Sequence, residues 1–250
     1  MDMDNSMLKR YSRHIMLPQM DYEGQETLLN SRVLIMGAGG LGSPVAMYLA
    51  SSGIGHITIC DFDVVEEHNL QRQIMHGEAD VGTLKVDSAK HTLQSLNRHI
   101  RVETINQKLE GDALRTEIEK ADVVLDTTDN FTARFAANKY CVETKTPLVS
   151  GSVIRMEGQI STFDPRRDDS PCYHCLYKDT GDLDETCTSN GVLAPAVGIV
   201  GGIQATEAIK VLCGFGEPLI GRLLLMDVLT MEWRTMKLKK DPGCPVCGAK

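Results

Sequence analysis

Arg32-Val33-Leu34-Ile35-Met36-Gly37-Ala38-Gly39-Gly40-Leu41-Gly42 is the stretch that decides the fold. Arg32 leads into four apolar residues, enough for a strand buried on both faces. Gly37, Gly39 and Gly42 then follow at G-x-G-x-x-G spacing, and residues 40–52 read as a helix. Strand, glycine loop and helix in that order predict a nucleotide-binding turn. Glycines permit the tight turn and let backbone N–H groups approach a phosphate, and the helix N-terminus adds a favourable dipole. Asp61 lies roughly 20 residues further on, where such folds place an acid for a ribose hydroxyl. The bland alternative, a strand–helix turn with no ligand, explains the loop but not the acid.

Outward from this stretch, short β-rich runs alternate with helical patterns. Strands are expected at 32–36, 57–60, 102–105, 123–126 and 148–153, and helices at 81–96, 113–119 and 131–143. This order predicts an α/β fold, a Rossmann-like doubly wound and mostly parallel sheet with helices on both faces. The pattern then changes. Residues 158–163, 223–227 and 232–238 read as strands without intervening helices, and so as an antiparallel C-terminal extension or a small second sheet. Between them 194–212 reads as a helix that is apolar nearly all round, hence buried in the core or at a subunit interface. Residues 165–190 are polar and acidic and read as a long exposed loop.

Bulk properties narrow the class. With 250 residues, 42% of them hydrophobic and 24% charged, the composition is that of an ordinary globular protein. The net charge of −8 argues against nucleic acid or an anionic membrane as the main partner. Residues 191–204, the longest nearly uncharged stretch, are too short to span a bilayer, and 1–10 lack an apolar signal core. A cytoplasmic location is expected. Of eight cysteines, four form two C-x-x-C pairs, Cys172/Cys175 and Cys244/Cys247. In a reducing compartment such pairs point to metal before disulfide, here a tetrahedral S₄ set suited to structural Zn²⁺. A redox dithiol is the alternative. His174 lies inside the first pair and is expected beside the site rather than in it.

The residues after Asp61 separate ATP from NAD. Asn69, Arg72 and Lys85 supply an amide and two cations beyond the ribose acid. That suits a triphosphate attacked at Pα better than a pyrophosphate already held by the glycine loop. Asp129, in Asp126-Thr127-Thr128-Asp129-Asn130, follows a strand at the sheet edge where ligands bind, and a carboxylate there can hold Mg²⁺ or cap the next helix.

Taken together, Arg10-Tyr11-Ser12-Arg13, the loop with Gly37, Gly39, Gly40 and Gly42, Asp61-Phe62-Asp63, Asn69-Leu70-Gln71-Arg72-Gln73, Lys85 and Asp126-x-x-Asp129-Asn130 resemble the MoeB/ThiF (HesA/MoeB/ThiF) family of adenylyltransferases. These are bacterial relatives of the adenylation domain of ubiquitin-activating enzymes. The resemblance spans the chain and implies ATP-dependent adenylation of the C-terminal Gly-Gly carboxylate of a ubiquitin-like sulfur-carrier protein, with release of pyrophosphate. It implies that Asp61 binds the ribose, that Asn69, Arg72 and Lys85 hold the phosphates, and that Asp129, with Asn130 beside it, binds Mg²⁺. Arg13 would reach into a neighbouring subunit's site, so a homodimer is implied. It carries Cys172, Cys175, Cys244 and Cys247 as Zn²⁺ ligands, and Cys187 on a loop crossing the active site, where some members join covalently to the carrier. The neighbours of Cys187 are acidic and would raise its pKa, so an inert thiol is the competing reading.

In these terms the whole chain is one adenylation domain. Residues 1–30 form a helical dimer segment, 31–163 the nucleotide core, 164–190 the crossover loop, and 191–250 the C-terminal helix, strands and zinc knuckle. Gly151-Ser152-Val153-Ile154-Arg155-Met156-Glu157-Gly158-Gln159-Ile160 looks closer to the branch that activates the small subunit of molybdopterin synthase than to the thiamin branch. The carrier tail is expected near Arg155. With no rhodanese-like segment in the sequence, a separate sulfur-donor protein is expected. Rival classes are an NAD oxidoreductase, a non-catalytic scaffold, and a relative that activates a carboxylate on tRNA. The first lacks a recognisable catalytic pair, the second predicts loss of Arg72, Lys85 or Asp129, and the third fits poorly with the acidic balance.

Overall fold

The computed structural model describes residues 3–178 and 191–248. Three helices, α1 (Asn5–Arg10), α2 (Ser12–Ile15) and α3 (Asp21–Asn30), precede β1 (Arg32–Met36) and α4 (Gly42–Ser52). Next come β2 (His56–Cys60), α5 (Lys85–Leu96), β3 (Arg101–Ile105), α6 (Gly111–Glu119), β4 (Val123–Asp126) and α7 (Phe131–Thr144). β5 (Leu148–Ile154) and β6 (Glu157–Phe163) form a hairpin, followed by the short α8 (Tyr173–Leu176), α9 (Ala194–Cys213), β7 (Arg222–Asp227) and β8 (Glu232–Lys237).

All eight strands form one sheet in the order β3-β2-β1-β4-β5-β6-β7-β8. The first five in that order run parallel, and β6, β7 and β8 add antiparallel. The C-terminal strands therefore extend the main sheet rather than building a second one. The β1 run from Val33 to Met36 is apolar because both of its faces are covered. Val33 and Ile35 enter the core under α4 and α9, whereas Leu34 and Met36 enter the core with Leu114, Ile118, Ala137 and Cys141 of α6 and α7. Strand order reverses between β1 and β4, and this switch point opens a crevice at the carboxyl ends of the strands.

α9 is buried along Ala196, Val197, Val200, Ala205 and Ala208 and packs on α4 and β5. At 20 residues it extends beyond the 191–204 stretch of the sequence reading, and among the described residues it is the one helix long and apolar enough to cross a membrane. Two expectations need correction. The helix expected at 81–96 begins only at Lys85, because Gly82 takes a positive φ of 86° and Leu84 bridges to Val64 in extended form. The segment after Pro165 is not an exposed loop throughout: Ser170, Cys172 and Tyr173 are buried, and α8 is helical. Tyr173 sinks into an aromatic cluster with Phe135, Phe163 and Tyr177.

Candidate functional site

The crevice at the switch point holds about 440 Å³, within the usual range for small-molecule sites. Its floor is the glycine loop. Gly37 sits at φ 104°, a conformation open to glycine, and a Cβ on Gly42 would meet the Gly37 carbonyl oxygen at 2.0 Å. Asp61 braces this loop: its Oδ2 accepts from the Ala38 N–H at 2.8 Å and its Oδ1 from the Asp63 N–H at 2.9 Å. On the far side Thr127 Oγ1 donates to the carbonyls of Met36 (2.7 Å) and Gly37 (2.9 Å), tying β4 to β1 across the switch.

The crevice gathers most of the residues that the sequence singles out for the nucleotide. Gly37, Gly39, Gly40, Asp61, Arg72, Lys85, Asp129 and Asn130 all line it. Gly42 lies just behind the loop as the first residue of α4. Lys85 is buried at the start of α5, and its Nζ pairs with Asp63 Oδ2 at 2.8 Å. Arg72 is anchored through Nη1 to the His68 carbonyl at 3.2 Å. Asn130, not Asp129, caps α7, its side chain accepting from the Ala133 N–H at 2.8 Å. That leaves the Asp129 carboxylate on the crevice wall without a capping role. A carboxylate oxygen in this place is the donor type Mg²⁺ prefers.

Other residues fall elsewhere. Asn69 is outside the crevice lining and nearly buried, its Oδ1 accepting from the Glu66 N–H in a capping box. Arg13 is exposed on α2, with its guanidinium 3.8 Å from Met16 Sδ and away from the crevice of its own chain. Cys187 lies outside the described residues.

Sequence reading passed over two polar supports. His76 is buried, with Nε2 2.9 Å from the Ala38 carbonyl and Nδ1 2.8 Å from Ser88 Oγ. The carbonyl only accepts, so Nε2 carries the proton and Ser88 donates to Nδ1. Burial holds the His76 pKa below its ordinary value. Arg134 is buried on the first turn of α7 and also lines the crevice. A lone histidine and a lone helical arginine have no period or spacing that marks them. Cys60 lines the crevice too, but burial pushes its thiol up to about 12, so it serves as an uncharged wall.

The four paired cysteines converge across a sequence gap of 72 residues. Cys172 and Cys244 sulfurs lie 3.7 Å apart, Cys175 and Cys247 sulfurs 3.4 Å apart, and all four fall within 4.8 Å of one another. A tetrahedron of thiolates about 2.3 Å from a central ion has edges of about 3.8 Å, so the cluster can hold a metal of zinc's size and softness. Asn138 Nδ2 donates to Cys172 Sγ at 3.6 Å and the Asp241 N–H to Cys175 Sγ at 3.4 Å, contacts that orient the two sulfurs. His174 stands beside the Phe135 ring, outside the sulfur group.

The ThiF family profile matches residues 11–246. The chain is 48% identical to the molybdopterin-synthase adenylyltransferase of Escherichia coli, covering 98% of each chain. It is 41% identical to the sulfur carrier protein ThiS adenylyltransferase of the same organism, covering 98% of this chain and 97% of that one. Among solved structures, E. coli MccB with ATP superimposes with a TM-score of 0.82 at 28% identity, over 96% of this chain and 73% of the other.

Proposed function

Because this chain belongs to the ThiF family, we propose that it is an adenylyltransferase that activates the C-terminal glycine carboxylate of a ubiquitin-like sulfur carrier, the small subunit of molybdopterin synthase. ATP is the donor and pyrophosphate the product. The observation that carries this reading is the single crevice in which a glycine loop, Asp61, two cations (Arg72 and Lys85) and the Asp129 carboxylate meet. The 48% identity to a molybdopterin-synthase adenylyltransferase supports the choice of carrier.

The chemistry follows from charge. A carboxylate cannot expel oxide, so it is made reactive by conversion to a mixed anhydride with AMP. The carrier's carboxylate is itself the nucleophile and needs no enzymic base. What remains is to align it with Pα and to neutralise charge building on the leaving pyrophosphate. Asp61 accepts from a ribose hydroxyl while bracing the loop. Arg72 and Lys85 draw charge from the phosphates. Lys85 suits this because α5 fixes its buried stem and Asp63 aims its ammonium. A divalent ion, Mg²⁺, would be held by Asp129 and would supply positive charge against that of the phosphates. Asn69 contributes through the turn it caps, which sets the position of Arg72. Arg13, exposed and not among the residues that line its own crevice, serves the site of the second subunit in a homodimer. Zn²⁺ in the four-cysteine cluster is structural, since a closed S₄ set leaves no open position. Sulfur would come from a separate donor protein, and Cys187 is the candidate for a covalent link to the activated carrier.

The same reaction on the thiamin-pathway carrier is the second reading, supported by the 41% identity to a ThiS adenylyltransferase. ATP–pyrophosphate exchange decides between the two. Each carrier is tested intact and without its last glycine. Exchange that requires an intact tail supports carboxylate adenylation, and the faster carrier names the substrate. ATP binding with no exchange on either carrier would refute the proposal.

A further inference from the structure

Arg134 is 5% exposed at the first turn of α7 and lines the crevice. A guanidinium there is unfavourable on two counts: burial desolvates it, and the N-terminal end of a helix repels cations. Asp126, fully buried at the end of β4, offsets part of this with Oδ2 3.8 Å from Arg134 Nε. Charge compensation alone would need no particular aim, yet the side chain is aimed. Its Nη2 donates to the Thr128 carbonyl at 2.6 Å, and its Cζ lies 5.8 Å from the centroid of the Phe131 ring.

Thr128 is gripped on every polar group it has. Its N–H (3.1 Å) and its hydroxyl (2.7 Å) both donate to Asp126 Oδ1, and its carbonyl accepts from Arg134. Asp126 is steadied in turn by Ser150 Oγ at 2.8 Å. The gripped carbonyl belongs to the peptide that joins Thr128 to Asp129. On the other side of Asp129, the Asn130 cap fixes the start of α7. The Asp129 backbone is therefore held on both sides, and Asn130 Nδ2 donates to the Asp129 Oδ1 at 3.4 Å.

We infer that Arg134 is a positioning residue that holds the Thr128–Asp129 peptide so that the Asp129 carboxylate is presented to a divalent cation in the crevice. This rests on the reading of Asp129 as the cation's ligand. The guanidinium faces Thr128 and Asp126 from two nitrogens fixed in one plane, Nη2 and Nε, a spacing that the single nitrogen of lysine does not reproduce.

The test uses the full chain with a non-hydrolysable ATP analogue, and Mn²⁺ as a paramagnetic substitute for Mg²⁺. Bound Mn²⁺ is measured by electron paramagnetic resonance titration, with circular dichroism to verify folding. D129N is the reference variant. R134K is expected to weaken Mn²⁺ binding about 10-fold, in line with the loss of groups that orient a ligand. Affinity for the analogue without metal should stay within about twofold, because the glycine loop and Asp61 are untouched. R134M strands a buried carboxylate, so if it fails to fold, R134M combined with D126N removes both charges and takes its place. Mn²⁺ binding at wild-type strength in R134K and in the folded methionine variant, with D129N weakened, overturns the inference. Wild-type binding in D129N overturns the Asp129 reading and the inference with it.

Discussion

Gly42→Ala tests whether the close approach at the glycine loop limits this fold. The added methyl would lie 2.0 Å from the Gly37 oxygen and 2.9 Å from the Gly37 carbon. Side-chain carbons hardly ever approach closer than 3.0 Å, so α4 and the Gly37 carbonyl must part by about 1 Å. Gly37 cannot retreat freely. Its N–H donates to the Cys60 carbonyl at 2.8 Å, and its carbonyl accepts from Thr127 Oγ1 at 2.9 Å. Overpacking of a rigid site costs ~1–3 kcal/mol and the strained Thr127 bond ~1 kcal/mol more, giving ~2–4 kcal/mol. For a chain of this size that lowers Tm by roughly 4–16 °C. The same shift carries the loop N–H groups away from the phosphates, and a misplacement of about 1 Å can cost ~100-fold in rate. Calorimetry of the nucleotide-free protein and pyrophosphate exchange of the variant read the two effects separately. A Tm within about 1 °C of wild type would show that the Gly37–Gly42 contact relaxes at no cost and would refute the reasoning.

Three further outcomes are expected. Lys85→Met removes a buried ammonium from the crevice and should lower exchange by ~100-fold or more at saturating carrier, with little loss of fold; exchange near the wild-type rate would exclude Lys85 from charge neutralisation. His76 has a folded-state pKa below 6.5, so its contribution to stability is fully present above about pH 6.5 and is lost as pH falls below it. His76→Gln should flatten that acid limb of the denaturant-midpoint curve, and an unchanged limb would assign it to other groups. Cys172→Ser should release the metal measured by elemental analysis and lower Tm, as should strong chelation of the wild-type protein, because the cluster pins the C-terminal segment to α8; a metal-free wild-type protein of undiminished stability would contradict this.

What the sequence determined by itself was local. Apolar runs at 33–36 and 123–125, the glycines at 37, 39 and 42, and the acid at 61 each carry their meaning in a period or a spacing. A strand buried on both faces must be apolar throughout, and a loop that passes 2.0 Å from a would-be side chain must have glycine there. The C-x-x-C pairs were legible for the same reason, as a spacing that suits metal ligation. Only the tertiary structure decided what depends on contacts between distant segments. It put β6, β7 and β8 on the main sheet and sank Tyr173 from an apparently exposed loop into an aromatic cluster. It gave the α7 cap to Asn130 and left the Asp129 carboxylate to the crevice. It also aimed Arg134 at the Thr128 carbonyl and His76 at Ala38. A single arginine or histidine in a helix or turn reads as surface until packing removes its water. Burial then forces it to find partners, and those partners are set by which strands lie side by side.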